Sequence, residues 1–184
     1  MRSVPTPRVL AVDDRRENLV ALEAILADTP VEVDTVIGGE EALKRLLTHD
    51  YALIVLDAHM PGMSGYETAE HIKEREKTRH IPILFLTAAD SDSGSALRGY
   101  RAGAVDYMVK PLSPWVLRSK VEVFADLWTV QAELARQAQH CRMLLSAVGD
   151  AVQALEGPAA DVDRVATGLR EALEGASPTL RAAR

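Results

Sequence analysis

From residue 8 to about residue 120, short apolar runs alternate with segments of helical period. Five runs read as strands: RVLAV (8–12), VEVDTV (31–36), ALIVL (52–56), PILFL (82–86) and VDYMV (105–109). The second resembles an alternating, partly exposed strand, whereas continuous apolar runs fit strands buried on both faces. Between them, Asn18 to Ala27 carries Leu19, Leu22, Ala24, Ile25 and Leu26, and Glu40 to Thr48 carries Ala42, Leu43, Leu46 and Leu47, which predicts two amphipathic helices. Gly65 to Lys77 and Ser93 to Ala102 predict a third and a fourth, poorer in large apolar residues. Strands and helices alternating in this way form an α/β fold, a doubly wound parallel sheet covered on both faces.

After Pro114 the pattern changes. No glycine or proline occurs from Trp115 to Val148, so the segment predicts one long helix. Val116, Leu117, Val121 and Phe124 give its first part the apolar content to close the sheet domain. Further on, Leu127, Gln131, Leu134, Ala138, Cys141, Leu145, Val148, Val152 and Leu155 recur at alternating spacings of four and three, a seam suited to a coiled coil or helical hairpin. Gly157-Pro158 should end this helix, with Val162, Val165, Leu169 and Leu173 striping a shorter second one. The predicted division is a sheet domain over 1–125 and a helical extension over 126–184.

The 184-residue length accommodates one ordinary core plus such an appendage. A formal net charge of −6 without a basic stripe argues against a nucleic-acid partner. The single cysteine, Cys141, excludes an internal disulfide framework and a thiolate zinc site. No run reaches the roughly 18 apolar residues of a membrane span, and the start lacks a signal-peptide core, so the expected location is cytoplasmic, with no membrane partner.

In an open parallel sheet, ligands gather outside the carboxyl ends of the strands. There the first run meets Asp13 and Asp14, the third Asp57, the fourth Thr87 and the fifth Lys110-Pro111. Any one of these residues alone reads as a cap or turn. Together they bring three carboxylates, a lysine and a hydroxyl to one sheet edge. Carboxylates so close raise one another's pKa unless a cation lies among them, and an oxygen-only donor set suits Mg2+, a frequent escort of phosphoryl groups. Lys110 could then neutralise a transferred group and Thr87 donate to it.

VLAVDDRRENL, LIVLDAHMPGMSGYE, ILFLTAA and VDYMVKPL, in that order, resemble the motifs of the response-regulator receiver domain of bacterial two-component signalling over about residues 7–125. The resemblance implies a flavodoxin-like five-stranded sheet of order 2-1-3-4-5. It implies Asp57 as acceptor of a phosphoryl group from a sensor histidine kinase, with Mg2+ held by Asp14, Asp57 and the His59 backbone carbonyl and by Asp13 directly or through water. Thr87 and Tyr107 would form a switch pair, small Ala88 would leave the acceptor open, Lys110 would contact the phosphoryl group, and the bond to Pro111 would be cis. His59 and Ala89 occupy places that in this family influence how water reaches the phosphoaspartate.

The resemblance implies a phosphoacceptor, capable at most of slow self-dephosphorylation, rather than an enzyme. Output is expected through the fourth-helix/fifth-strand face and the C-terminal helices, by homodimerisation or docking of a downstream protein. Two alternatives stand beside it: a phosphorylation-independent adaptor, and a phosphorelay protein with His140 as second acceptor.

Overall fold

A computed structural model of the chain describes residues 5–88, 105–156, 162 and 165–172. All five predicted strands form, each extending one or two residues past its apolar run: β1 Arg8–Asp13, β2 Glu32–Ile37, β3 Leu53–Asp57, β4 Ile83–Ala88 and β5 Asp106–Lys110. The extension matters chemically. Asp13, Asp57 and Lys110 are the last residues of their strands and Thr87 the last but one, so the sheet's hydrogen bonding fixes their backbones.

The sheet is parallel throughout, in the order β2-β1-β3-β4-β5. This is the flavodoxin-like order expected. The chain winds outward from β1 to β2 and then crosses to β3, which leaves a crevice between the carboxyl ends of β1 and β3, the usual ligand position in such sheets.

Alternate strand residues feed two cores. Leu10, Val12, Ile54, Leu56, Ile83 and Phe85 pack with α2 (Gly39–Thr48) and α3 (Gly65–Glu74) through Ala42, Leu46, Ala69 and Ile72. On the other face, Val9, Ala11, Leu53, Val55, Leu84 and Leu86 pack with α1 (Arg16–Leu26) and with Leu117 and Val121 of α4 (Pro114–Glu156). Because β1 and β3 are covered on both sides, their residues are almost wholly buried, and this is why they read as unbroken apolar runs.

Two helix boundaries differ from expectation by two residues or more. Helix α1 begins at Arg16 rather than Asn18. Helix α3 stops at Glu74, three residues before the predicted Lys77. Glu74-Arg75-Glu76-Lys77 offers no apolar residue to hold another turn on the core. Instead the chain turns back, with the buried Thr78 hydroxyl donating to the Ile72 carbonyl at 2.7 Å and Lys73 Nζ to the Ile81 carbonyl at 2.7 Å.

Helix α4 starts on Pro114, whose missing N–H costs nothing at a first helical position. Its 43 residues make it about 65 Å long. The chain divides into two compact units, Pro5–Thr129 and a second that includes the residues from Val130 onward. The first therefore contains the sheet and the start of α4. In the second, α4 runs to Glu156, the residue before Gly157-Pro158, and residues 165–172 are helical. The predicted fourth helix (93–102), Ala89, Gly157-Pro158 and Leu173 lie outside the described residues. Among the described residues, no helix is long and apolar enough to cross a membrane.

Candidate functional site

The carboxyl ends of β1, β3 and β5 meet through a single ammonium group. Lys110 Nζ donates to Asp13 Oδ2 at 3.0 Å and to Asp57 Oδ1 at 2.9 Å. Asp13 is wholly buried and Asp57 only 6 % exposed, while Asp14, just past the end of β1, is half-buried. One oxygen of each of Asp13, Asp14 and Asp57 lies within 4.8 Å of the others.

Three carboxylates against one lysine leave the cluster net negative. Burial pushes the Asp57 carboxyl above its ordinary value; the bond and charge of Lys110 oppose this, while Asp13 and Asp14 add to it. For Lys110, burial pulls the other way, but hydrogen bonds and charge from Asp57 and Asp13 outweigh it and hold the ammonium firmly protonated. A site of hard oxygen donors with excess negative charge fits a hard divalent cation such as Mg2+, and the donor set is wrong for soft metals.

The surroundings hold each carboxylate in place. Asp13 Oδ1 accepts from the Arg15 N–H at 2.9 Å and from Asn18 Nδ2 at 2.8 Å. Asp13 is thus gripped at both oxygens, by α1 on one side and Lys110 on the other. Asp14 forms no side-chain cap on α1, whose N-cap is Arg15. Asp57 leads into a loop closed by the Gly65 N–H donating to the Ala58 carbonyl at 3.1 Å. A Cβ on Gly65 would lie 2.0 Å from the Asp57 carbonyl oxygen, so no other residue fits without displacing the acceptor backbone. Ser64 and Glu67 then form a reciprocal capping box that fixes the start of α3, a device legible as S-x-x-E in SGYE.

Thr87 is buried, and its backbone pairs in register with Val109. Ala88 pairs in register with Lys110, and its side chain lies outside the described residues. The Lys110–Pro111 peptide is cis. Tyr107 projects from β5 with 43 % of its surface exposed. His59 is exposed in the loop after β3, its ring edge-on to Tyr66 at a centroid distance of 6.2 Å, and the Tyr66 ring packs at a tilt against Phe85 at 5.0 Å. A cleft of about 300 Å3 runs beside the cluster, with Asp13, Asn18 and Lys110 at its polar end and Leu22, Ile25 and Leu112 along its apolar wall. His140 is half-buried on α4 in the second unit, whereas the carboxylate cluster belongs to the first.

Asn18 is the residue that pattern reading missed. A helix starting at Asn18 makes it a terminal residue. Starting at Arg16, the helix carries Asn18 into its first turn, where its amide reaches back to Asp13.

A model of the response regulator receiver domain matches residues 9–122. The response regulator PleD of Caulobacter vibrioides is 33% identical over 150 residues, which cover 82% of this chain and 33% of that protein. The phosphate regulon transcriptional regulatory protein PhoB of Rhizobium meliloti is 37% identical over 116 residues, 63% of this chain and 51% of that protein. The chain thus spans between a third and about half of the length of these curated relatives. Among solved structures, a response regulator receiver protein from Pseudomonas putida superposes with a TM-score of 0.60 at 28% identity, over 65% of this chain and 98% of that one.

Proposed function

The chain belongs to the response regulator receiver domain family, and from that premise we propose that it is a phosphorylation-controlled response regulator whose acceptor is Asp57. The observation that carries this reading is the placement of Asp57, buried at the end of β3, bridged to Asp13 by Lys110 and within reach of Asp14.

An Asp57 carboxylate oxygen attacks the phosphorus of a phosphohistidine on a sensor histidine kinase; a P–O bond forms, the P–N bond breaks, and its electron pair returns to the imidazole. Phosphoryl transfer asks the protein chiefly for an in-line nucleophile and for charge compensation. The raised Asp57 pKa marks a carboxylate more basic than an exposed one, and Lys110 Nζ already sits where it can follow an oxygen of the arriving group. Asp13, Asp14, Asp57 and the His59 carbonyl are the groups proposed to hold Mg2+, which supplies charge neutralisation on the phosphoryl oxygens. Asn18 and the Arg15 N–H keep Asp13 oriented toward that role.

The buried Thr87 hydroxyl then binds the new phosphoryl oxygens, and its movement makes room for the half-exposed Tyr107 ring to turn inward. The population so shifted presents a changed β5 face and, through the C-terminal helices, alters dimerisation or docking of a downstream protein. The chain works in the cytoplasm as a phosphoacceptor and not as an enzyme in its own right.

The test is labelling by a small phosphodonor such as acetyl phosphate in the presence of Mg2+. Wild type takes up phosphate and Asp57→Asn takes up none. Undiminished labelling of the variant rejects Asp57 as acceptor.

A further inference from the structure

One long-range hydrogen bond of the sheet unit belongs neither to the two cores nor to the acidic cluster. Arg118, near the start of α4, donates its Nε–H to the Ile25 carbonyl of α1 at 2.7 Å, across 93 residues of sequence. Ile25 stands in the last turn of α1, where a helix cannot pair its own carbonyls. That turn holds no basic residue, so Arg118 supplies from outside the positive charge that a helix C-terminus favours.

The other end of α1 holds the acidic cluster. There the Arg15 N–H and the Asn18 amide both donate to Asp13 Oδ1. About two turns of helix, roughly 10 Å, separate Asn18 from Ile25. Leu19, Leu22 and Leu26 seat α1 on the sheet. Between α1 and the Lys110-Pro111-Leu112 segment, by contrast, lies the cleft of about 300 Å3, lined by Ala21, Leu22 and Ile25 on the α1 side. On that flank α1 has room to shift, and the polar ties at its two ends fix where it stands.

We propose that Arg118 is a positioning residue for Asp13. By holding the C-terminal end of α1, it sets where Asn18 presents its amide and thereby the geometry that the acidic cluster offers a cation. The inference deepens the proposed function and rests on it for the role of Asp13 at Mg2+.

The route is contiguous. Asp57 and Asp13 share Lys110 Nζ at 2.9 and 3.0 Å, Asn18 grips Asp13 at 2.8 Å, and α1 joins Asn18 to Ile25 and so to Arg118. Coupling between two sites is reciprocal: a cation drawn in at Asp13 strengthens the Arg118 bond by the factor with which that bond strengthens the site. Arg118 thus ties the start of α4 to the acceptor by a path that includes neither Thr87 nor Tyr107.

The test is a double-mutant cycle on the full chain, read as Mg2+ affinity by titration calorimetry without phosphodonor. Arg118→Met keeps the aliphatic stem and removes the donor. It should weaken Mg2+ binding on the order of threefold in the wild-type background and change nothing in the Asn18→Ala background, where the link is already cut. Arg118→Lys, which keeps a positive donor, should retain wild-type affinity. On metal-free protein, the Asn18 side-chain amide resonances should move in Arg118→Met and stay in place in Arg118→Lys. A residue that merely stabilises the fold would lower Tm and leave affinity untouched, or weaken binding equally in both backgrounds. Either result overturns the proposal, as do Asn18 resonances unmoved by Arg118→Met or a wild type that binds no Mg2+. Labelling by acetyl phosphate is read on the same samples: a chain that labels but whose Mg2+ affinity ignores Arg118 sinks the positioning role alone, and one that shows the coupling but takes no label sinks the phosphoacceptor reading alone.

Discussion

Leu56 in β3 and Leu145 in α4 are the same side chain in opposite surroundings, one fully buried and the other 66 % exposed. In the sheet unit the strands' apolar residues pack into two cores, although Trp115 and Val123 on α4 stay exposed, and the groups held out of water at the sheet's edge are charges, Asp13 and Asp57. Among the described residues beyond Val130, the charges of Arg142 and Asp150 are exposed, and so are the apolar Leu134, Leu145, Val148 and Val152. Burying a charge and exposing a leucine stripe both cost stability. The proposed function sets the first of these costs against chemistry at the ends of the strands.

The largest effect that could break this contrast comes from truncating the two leucines. Leu56→Ala should cost about 2–5 kcal/mol in denaturant unfolding, by lost burial plus a cavity. Leu145→Ala should change the unfolding of the chain by no more than about 0.5 kcal/mol. Equal losses would erase the distinction between the units.

A pair of glycines sharpens it next. Gly65→Ala forces a methyl group to within 2.0 Å of the Asp57 carbonyl, and should cost about 1–3 kcal/mol while slowing labelling. Gly149 lies inside α4 with open space where a Cβ would stand. Gly149→Ala should therefore stabilise the helix by about 0.5–1 kcal/mol, read as a gain in helical circular dichroism on heating.

Asn18 tests the support of the acidic cluster without touching the acceptor. Asn18→Ala removes the 2.8 Å bond to Asp13 and should weaken Mg2+ binding, measured by titration calorimetry, on the order of tenfold. Unchanged affinity would reduce Asn18 to a helix residue.

The smallest effect concerns the charge on Asp57. A carboxyl whose folded-state pKa is raised contributes stability that is present below its unfolded value and lost as pH rises through the folded value. At neutral pH without divalent cations the ionised Asp57 thus weakens the fold, and Asp57→Asn should raise Tm on the order of a few degrees. The gain should shrink as pH falls toward the ordinary carboxylate value of 3.8, and added Mg2+ should narrow it by stabilising wild type more than the variant. A variant less stable than wild type at neutral pH would contradict the direction of the shift.

Much of this was legible in the chain. Buried strands showed as apolar runs because both faces are covered, and their ends showed as Asp13, Asp57, Thr87 and Lys110 because charge cannot continue into the core. The helix boundaries did not read through. Where α1 begins depends on the Arg15 N–H bonding to Asp13, and where α3 ends depends on Thr78 and Lys73 reaching back to carbonyls, contacts made only by the folded chain. Asn18 escaped for the same reason. The α4 seam was visible as a period, yet a period alone does not say whether the stripe is covered; its exposure in the second unit required the structure.

The central claim is that the charge at the end of β3 is a phosphoacceptor. The most direct measurement is borohydride reduction of protein treated with acetyl phosphate and Mg2+, which converts an acyl phosphate to an alcohol, followed by peptide mapping by mass spectrometry. The account predicts homoserine in place of Asp57, absent without phosphodonor. Reduction at Asp13 or Asp14 instead, or at no aspartate while the protein still takes up phosphate, would contradict it.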